Sequence, residues 1–215
     1  MILFDLDRTL CGTDKVSRHL IDSLRSNWPE VADDIEKSIS LGQGLRYDPW
    51  SDIRSRLSTS DIKGLRVSMM RGLSPSYFYV DEAEGLIAEI NTRGIDFGIM
   101  TYGDPEYQRL KLELMGLSDV PVLVTSEPGA KASLIGSWRQ EGSGAFAIPD
   151  ALGGREAELV MLVDDKLDEL IPARGGLVSV LFDTQGRYSG QKATVSYIVD
   201  KLTKILEITD TELSK

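Results

Sequence analysis

Five short apolar runs punctuate the chain, and the segments between them have mainly helical periodicity. Each run is bounded by polar or turn-forming residues, which is typical of strands buried in a parallel sheet. The predicted strands are residues 1–6, 95–101, 121–125, 159–163 and 177–182. Strands that alternate with helices predict an α/β fold with a doubly wound, mainly parallel sheet.

Helices are predicted between these strands and after the last one. They cover residues 81–93, 105–115 and 130–140, and the final helix covers Ser196–Ile208. The apolar segment 145–148 stands between two glycine-containing stretches, which predicts a loop that carries a short apolar piece.

Residues 12–80 differ from the rest, because they show helical periodicity and no strong strand. Helices are predicted near the start of this block and over residues 31–41, 50–57 and 61–70. The sequence therefore predicts an α/β core formed by residues 1–11 and 81–215, with an all-helical domain inserted at 12–80. A role in packing alone remains an alternative for this insertion.

The net charge of the chain limits the classes of binding partner that we expect. The 215 residues include 34 acidic and 24 basic side chains, for a formal net charge of −10. A nucleic-acid binder or an anionic-membrane binder would show a basic face, so neither partner is expected. An anionic substrate is compatible with this charge, because a divalent ion and one lysine can reverse the potential locally.

The single cysteine, Cys11, precludes an internal disulfide and fits a reducing cytosol. No apolar stretch approaches the ~20 residues that span a bilayer, and no signal peptide is recognisable. We therefore expect a cytoplasmic protein that is a monomer or a homodimer.

Two acidic residues, Asp5 and Asp7, follow the first apolar run. They stand at the carboxyl end of a predicted strand, where open α/β sheets place their ligand crevices. Side chains alternate along extended backbone, so both carboxylates would point the same way and repel each other unless a cation separates them. Mg²⁺ is the expected cation, because it prefers oxygen ligands. Capping of a turn or helix is the alternative role for these acids.

The second strand end carries Thr101, Tyr102 and Gly103. A hydroxyl and backbone N–H groups at such a position can donate hydrogen bonds to phosphoryl oxygens. A turn leading into a helix capped by Asp104 is compatible with the same residues.

Two further features complete the set. Lys131 stands near the start of a predicted helix, and Asp164 and Asp165 follow the apolar run at 159–163. A lone lysine is usually a solvated surface charge, and paired acids often form a solvated turn. If the acids are buried, however, they require a cation.

The ordered set Asp5-x-Asp7-x-Thr9, Thr101, Lys131 and Asp164-Asp165 resembles the four signature motifs of the haloacid dehalogenase-like (HAD) hydrolase superfamily. The resemblance spans residues 1–182. It implies a Rossmann-like core with the first strand at the centre, and it implies that the helical insertion is a mobile cap over the active site.

By this resemblance, Asp5 is the nucleophile of a phosphatase and forms an aspartyl-phosphate, while Asp7 is the general acid and base. Thr101 and Lys131 would hold the phosphoryl oxygens, with Tyr102 and Gly103 beside them. Dehalogenases of the family lack an acid at the position of Asp7, which favours a phosphatase or a phosphomutase.

The resemblance also implies that Mg²⁺ is bound by Asp5, by the backbone carbonyl of Asp7 and by Asp165. Asp164 would orient Lys131 or serve as a further ligand. Lys111 and Lys166 remain alternatives for the lysine role, and Arg8 departs from the glycine that is frequent in the family.

The expected function is hydrolysis of a small phosphorylated metabolite, with a phosphomutase or a catalytically silent binding scaffold as alternatives. Arg46 is predicted as a substrate contact in the helical insertion. Lys15, Arg18, His19, Tyr47 and Trp50 are further candidates there.

Overall fold

The structure is a computed structural model that describes residues 1–41, 48–171, 176–188 and 194–214. The chain divides into two compact units. The first unit comprises Met1–Leu10, Tyr79–Tyr102 and Asp119–Lys215 and contains the main sheet. The second unit comprises Cys11–Phe78 and Gly103–Ser118 and is helical.

The first unit is built on a six-stranded sheet in which every neighbouring pair of strands is parallel. Its strands are β1 (Ile2–Phe4), β2 (Phe97–Tyr102), β3 (Val122–Thr125), β6 (Val160–Asp164), β7 (Leu177–Phe182) and β8 (Tyr197–Val199). Their spatial order is β3-β2-β1-β6-β7-β8. The predicted α/β fold is therefore confirmed, and β1 lies between β2 and β6 as the resemblance implied.

Helices connect these strands, and a small hairpin interrupts the chain before β6. The helices of the first unit are α5 (Ala83–Thr92), α7 (Lys131–Ser137), α8 (Leu167–Leu170) and α9 (Lys204–Leu213). The hairpin pairs β4 (Phe146–Ala147) with β5 (Glu156–Ala157) in antiparallel register. Every residue of β1, β6 and β7 is buried, which agrees with their mainly apolar sequences.

The prediction of one helix over Ser196–Ile208 is wrong. Residues Tyr197–Val199 form the edge strand β8, and α9 begins only at Lys204. β8 pairs with β7 in the register Val180↔Tyr197 to Phe182↔Val199. Aromatic and β-branched residues fit a pleated surface, and here pairing with β7 outweighs the local helical periodicity. In a similar way α7 ends at Ser137 instead of 140, and Arg139 bridges to Phe146 in the hairpin.

The second unit contains α1 (Thr13–Arg25), α2 (Pro29–Leu41), α3 (Pro49–Arg56), α4 (Thr59–Met69) and α6 (Pro105–Leu114). Several helix starts are capped by side chains: Asp48 accepts from the backbone N–H groups of Trp50 and Ser51, and Ser58 accepts from Asp61. A short 3₁₀ turn, Pro75–Phe78, ends the inserted segment.

Helix α6 is part of this second unit, although the predicted boundaries place it in the core. Arg66 donates to both carboxylate oxygens of Glu113 at 2.8 Å, and the rings of Trp50 and Tyr107 stack 5.6 Å apart. These contacts explain why residues 103–118 group with the helices of 11–78. The domain boundary at 12–80 remains a prediction.

Within the described ranges, each helix is too short or too polar to cross a membrane.

Candidate active site

Three carboxylates meet at the carboxyl edge of the sheet. Asp5 follows β1, Asp164 is the last residue of β6, and Asp165 comes directly after it. β1 and β6 are parallel neighbours with Phe4 opposite Val163, and the Asp5 amide donates to the Val163 carbonyl at 2.8 Å. Because both strands end at the same edge, the three acids lie side by side, and all are buried.

Lys131 supplies the buried positive charge of this cluster. It is the first residue of α7, and its Nζ donates to Asp5 Oδ1 at 2.5 Å and to Asp164 Oδ2 at 2.7 Å. The side chains of Lys131 and Asp5 are only 2% and 4% exposed. Removal of such charges from water is costly, so this arrangement depends on close pairing.

The electrostatics keep Lys131 protonated. Burial by itself lowers the pKa of Lys131, but the adjacent Asp5 and Asp164 carboxylates outweigh it and raise the pKa above its ordinary value. The ammonium therefore remains charged throughout the neutral range.

The acids carry more negative charge than Lys131 compensates. Burial, and next the charge of Asp5, raise the pKa of Asp164 well above its ordinary value despite the opposing effect of Lys131. Burial and Asp5 also raise the pKa of Asp165, while Lys166, Arg187 and Arg8 act in the opposite direction. A cation bound among these carboxylates would relieve this repulsion.

The donor set fits a hard divalent cation. One carboxylate oxygen from each of Asp5, Asp164 and Asp165 lies within 4.8 Å of the others. Asp5 Oδ2 and Asp165 Oδ1 are buried and have no hydrogen-bond partner among the described residues. Both oxygens of Asp164, in contrast, accept hydrogen bonds from Lys131 Nζ and the Lys166 amide. The oxygens with unused capacity are therefore those of Asp5 and Asp165.

Thr101 lies one strand away from Asp5, near the end of β2. It is buried, and its Oγ1 has no hydrogen-bond partner in the part of the chain that the structure describes. Its backbone carbonyl accepts from the Thr125 hydroxyl at 3.3 Å. A buried hydroxyl with unused capacity is a suitable donor to an oxygen of a bound anion.

Solved structures with similar folds were found across nearly the whole chain. A haloacid dehalogenase-like hydrolase from Burkholderia xenovorans has a TM-score of 0.62 and 19% identity, covering 99% of this chain and 97% of that one. A HAD phosphatase from Thermococcus onnurineus has a TM-score of 0.59 and 19% identity, with coverages of 97% and 96%. The magnesium-bound HAD-hydrolase YfnB from Bacillus subtilis has a TM-score of 0.58 and 15% identity, with both coverages 96%.

The chain has the haloacid dehalogenase-like fold. Neither a protein-family model nor a curated protein sequence matches it.

In this haloacid dehalogenase-like fold, the three candidate lysines have different positions. Lys131 contacts two of the acids, whereas Lys111 is in the second unit, with its Nζ 4.5 Å from the centroid of the Tyr107 ring. Lys166 is half-buried beside Asp165 and contributes its backbone amide to Asp164. The contacts of Lys131 therefore favour it for the lysine role.

The other predicted residues are distributed over both units. Asp7 is half-buried two positions after Asp5, and Tyr102 is half-buried at the end of β2. Gly103 begins the second segment of the helical unit, with a positive φ of 136°. Arg46 and Tyr47 lie outside the described residues.

Two of the proposed substrate contacts in the helical unit have packing roles. Trp50 is fully buried and stacks on Tyr107 with an interplanar angle of 8°. His19 donates from Nε2 to the Met69 carbonyl at 2.7 Å, and its ring lies 5.5 Å from that of Phe78.

Sequence reasoning missed Glu169. This buried residue of α8 accepts hydrogen bonds from the amides of Gly129 at 2.8 Å and Lys131 at 3.4 Å. Its carboxylate thereby fixes the turn from which the Lys131 side chain reaches Asp5. The only sequence signal for this role was an acidic pair, Asp168-Glu169, between the apolar residues Leu167 and Leu170.

The turn after β7 was also missed as part of the site. The carboxylate of Asp183 accepts from the amides of Gln185, Arg187 and Tyr188 at 2.8–3.3 Å. This turn places the Arg187 guanidinium 3.5 Å from Asp165 Oδ2 and 3.4 Å from the Asp165 carbonyl oxygen.

Proposed function

We propose that the protein is a magnesium-dependent phosphatase that hydrolyses a small phosphate monoester through an aspartyl-phosphate on Asp5. The observation that carries this proposal is the buried cluster in which Lys131 holds one oxygen of Asp5 while the other has no hydrogen-bond partner among the described residues. A carboxylate that a buried cation orients is a suitable nucleophile, and its second oxygen remains available to a metal ion.

In the first step, an oxygen of Asp5 attacks phosphorus, and the bond between phosphorus and the leaving alkoxide breaks. Asp7 donates a proton to the alkoxide, which leaves as an alcohol. In the second step, Asp7 takes a proton from water, and the oxygen of that water attacks the phosphorus of the aspartyl-phosphate. Inorganic phosphate is released, and the Asp5 carboxylate is restored.

The remaining residues bind and orient the phosphoryl group. Lys131 directs Asp5 and provides positive charge next to the oxygens of the transferring group. The Thr101 hydroxyl is available to donate to one of these oxygens. Asp164 accepts from Lys131 and the Lys166 amide, so it acts as the residue that orients Lys131. Charges fixed in a site that excludes water stabilise a transition state more strongly than charges in solvent.

Asp5 and Asp165 would hold the Mg²⁺ ion, together with the Asp7 backbone carbonyl. When bound, the ion would neutralise the clustered carboxylates and the charge of the phosphate ester. Asp5 Oδ2 and Asp165 Oδ1, which have no hydrogen-bond partner in the described part of the chain, support this assignment. One structure of similar fold is described as magnesium-bound and another as a phosphatase.

The first experiment measures hydrolysis of p-nitrophenyl phosphate by the purified full chain. We expect turnover with Mg²⁺, loss of turnover with a chelator, and recovery when Mg²⁺ is added back. Asp5→Asn should reduce turnover by more than ~10⁴-fold, because it removes the nucleophile, whereas the exposed Asp168→Asn is the matched control.

The same experiment separates the alternatives. Near-native turnover by Asp5→Asn would refute the aspartyl-phosphate mechanism. Absence of turnover with every monoester in a panel would favour a silent binding scaffold. A dehalogenase is among the structures of similar fold, with a TM-score of 0.54 and 17% identity, so halide release from 2-chloropropionate is measured in parallel. A phosphomutase would transfer the phosphoryl group to a second sugar hydroxyl instead of water.

A further inference from the structure

Three cationic side chains belong to segments that adjoin the acidic cluster, and the proposed chemistry does not use them. They are Arg8, Lys166 and Arg187, which come from the segment after β1, the segment after β6 and the turn after β7. Arg187 contacts Asp165 at 3.5 Å, Lys166 follows Asp165 directly in the chain, and the charges of Lys166 and Arg8 act to lower the pKa of Asp165. In a chain with ten more acidic than basic residues, three cations from separate segments around one carboxylate are an unusual concentration of positive charge.

A hydrogen-bonded turn positions Arg187. The buried Asp183 fixes the turn through three amides, and the guanidinium lies 5.4 Å from the centroid of the Tyr188 ring. The Arg187 side chain is nevertheless 41% exposed, and its contacts with Asp165 are long, at 3.4 and 3.5 Å. An arginine held in this way retains donors for a further partner.

Arg8 stands on strained backbone. Its φ is +67°, in the left-handed region that residues with side chains rarely adopt. The side chain is exposed. Strain of this kind is retained where the position of a side chain matters for function.

Neither Arg8 nor Lys166 makes a side-chain hydrogen bond or salt bridge within the described ranges. If these cations served only to neutralise the buried acids, direct pairing would be expected, as Lys131 shows. Their unpaired positions instead leave them available to a negative group that arrives from solvent.

We propose that Arg8, Lys166 and Arg187 form a second anion subsite, so the preferred substrate is a phosphate monoester whose alcohol carries another anionic group. This inference rests on the proposed phosphatase function. The second group is a carboxylate or a second phosphate, since both accept charge-assisted hydrogen bonds from arginine and lysine.

The test uses three C3 esters that differ only in their far end. They are 3-hydroxypropyl phosphate, 3-(phosphonooxy)propanoate and propane-1,3-diyl bisphosphate, and release of inorganic phosphate is measured under saturating Mg²⁺. We expect kcat/KM of the wild type to be about tenfold or more higher for at least one anionic ester than for the hydroxyl ester. Which anionic ester is preferred identifies the group.

The variants are Arg8→Asn, Lys166→Gln and Arg187→Gln. Asparagine tolerates the left-handed backbone, so Arg8→Asn removes the charge without adding strain. Each variant should lower the ratio of kcat/KM between the anionic and hydroxyl esters by about tenfold, the effect of one charge-assisted hydrogen bond. Arg155→Gln is the control, because Arg155 pairs with Asp96 outside the acidic cluster, and its ratio should equal that of the wild type.

Equal kcat/KM of the wild type for all three esters would overturn the subsite, as would variants that keep the wild-type ratio. Either result leaves the phosphatase proposal intact. Absence of phosphate release from every ester and from p-nitrophenyl phosphate would instead refute the proposed function. Circular dichroism of each variant establishes that it is folded before its ratio is interpreted.

Discussion

The ammonium of Lys131 donates to Asp5 Oδ1 at 2.5 Å, although 126 positions separate these residues in the chain. The same ammonium donates to Asp164, so one buried cation joins two strand ends to the start of α7. The contact between Lys131 and Asp5 should therefore contribute both to the stability of the fold at this edge of the sheet and to the proposed catalysis.

Replacement of Lys131 by methionine should destabilise the fold as well as abolish activity. It leaves Asp5 and Asp164 buried without their cation, and breaking a buried pair on one side typically costs about 3–5 kcal/mol. Urea unfolding at pH 7 measures the loss. The exposed Lys37→Met on α2 should change the free energy of unfolding by less than about 0.5 kcal/mol, and an equal effect of both variants would contradict this account.

Magnesium should stabilise the protein independently of turnover. A ligand that binds only the folded state at a concentration 100 times its Kd adds about 2.7 kcal/mol, which corresponds to an increase in Tm of roughly 5–10 °C for a chain of this size. Thermal unfolding of chelator-treated protein, with and without Mg²⁺, measures this shift.

Asp165→Asn should reduce the shift strongly, because Asp165 contributes one of the buried oxygens without a partner among the described residues. Asp168→Asn, three positions away and exposed, should keep it. A full magnesium shift in Asp165→Asn would show that the ion binds elsewhere.

Glu169→Gln should impair catalysis although Glu169 touches no substrate in the proposed mechanism. The substitution brings an amide group close to the amides of Gly129 and Lys131, which need acceptors. We expect kcat to fall by about tenfold, with a smaller effect on KM, and stability to fall by about 1–3 kcal/mol. Steady-state kinetics and urea unfolding measure the two effects.

Glu169→Asp retains the carboxylate and should recover part of kcat. Loss of stability with unchanged kcat would show that Glu169 has a purely structural role.

Asp183 should make stability depend on pH in the acidic range. Burial opposes ionisation, but the amides of Tyr188, Arg187 and Gln185 outweigh it and hold the pKa of Asp183 below its ordinary value. A carboxyl whose pKa is lowered by folding stabilises the fold above its unfolded pKa of about 3.9, and this contribution is lost as the pH falls through the folded pKa.

The difference in stability between the wild type and Asp183→Asn should therefore be about 2 kcal/mol at pH 7 and should shrink below about pH 4. Urea unfolding at a series of pH values measures it. The exposed Asp119→Asn serves as a comparison and should show no such dependence. A difference that stays constant down to pH 2 would contradict the role of the charged carboxylate.

The sequence predicts those parts of this fold that depend on short-range patterns. Ile2–Phe4 and Val160–Asp164 are recognisable because strands buried on both faces need continuous apolar runs. The acids at their ends could then be placed together, since parallel strands end at one edge of the sheet.

Parts that depend on distant partners were not predictable in the same way. Tyr197–Val199 forms a strand because it pairs with the edge of β7. The local sequence around 197–199 contains no information about this distant partner. Lys131, Lys111 and Lys166 look alike in sequence, and only the folded chain shows that Lys131 reaches Asp5. Glu169 was missed because its partners are backbone amides, which every residue except proline has, so the sequence does not show which of them it binds.

The last prediction concerns α6 and tests the contacts that join it to the inserted helices. Trp50 of α3 is fully buried against Tyr107 of α6, and Arg54 of α3 pairs with Asp104, the residue that caps α6. Trp50→Ala should destabilise the helical unit by about 3–5 kcal/mol, because it removes a large buried side chain and leaves a cavity. Amide hydrogen exchange should then increase in α6 as well as in α3.

The exchange pattern separates two descriptions of the chain. If 103–118 belongs with the inserted helices, α6 loses protection in Trp50→Ala while β6 and β7 keep theirs, because units that open cooperatively exchange together. If the helical domain ends at residue 80, as the sequence predicts, α6 should keep the protection of the sheet strands. Trp50→Phe retains an aromatic ring to stack on Tyr107, so it should preserve most of the protection in α6 and shows whether the effect comes from the stacked ring.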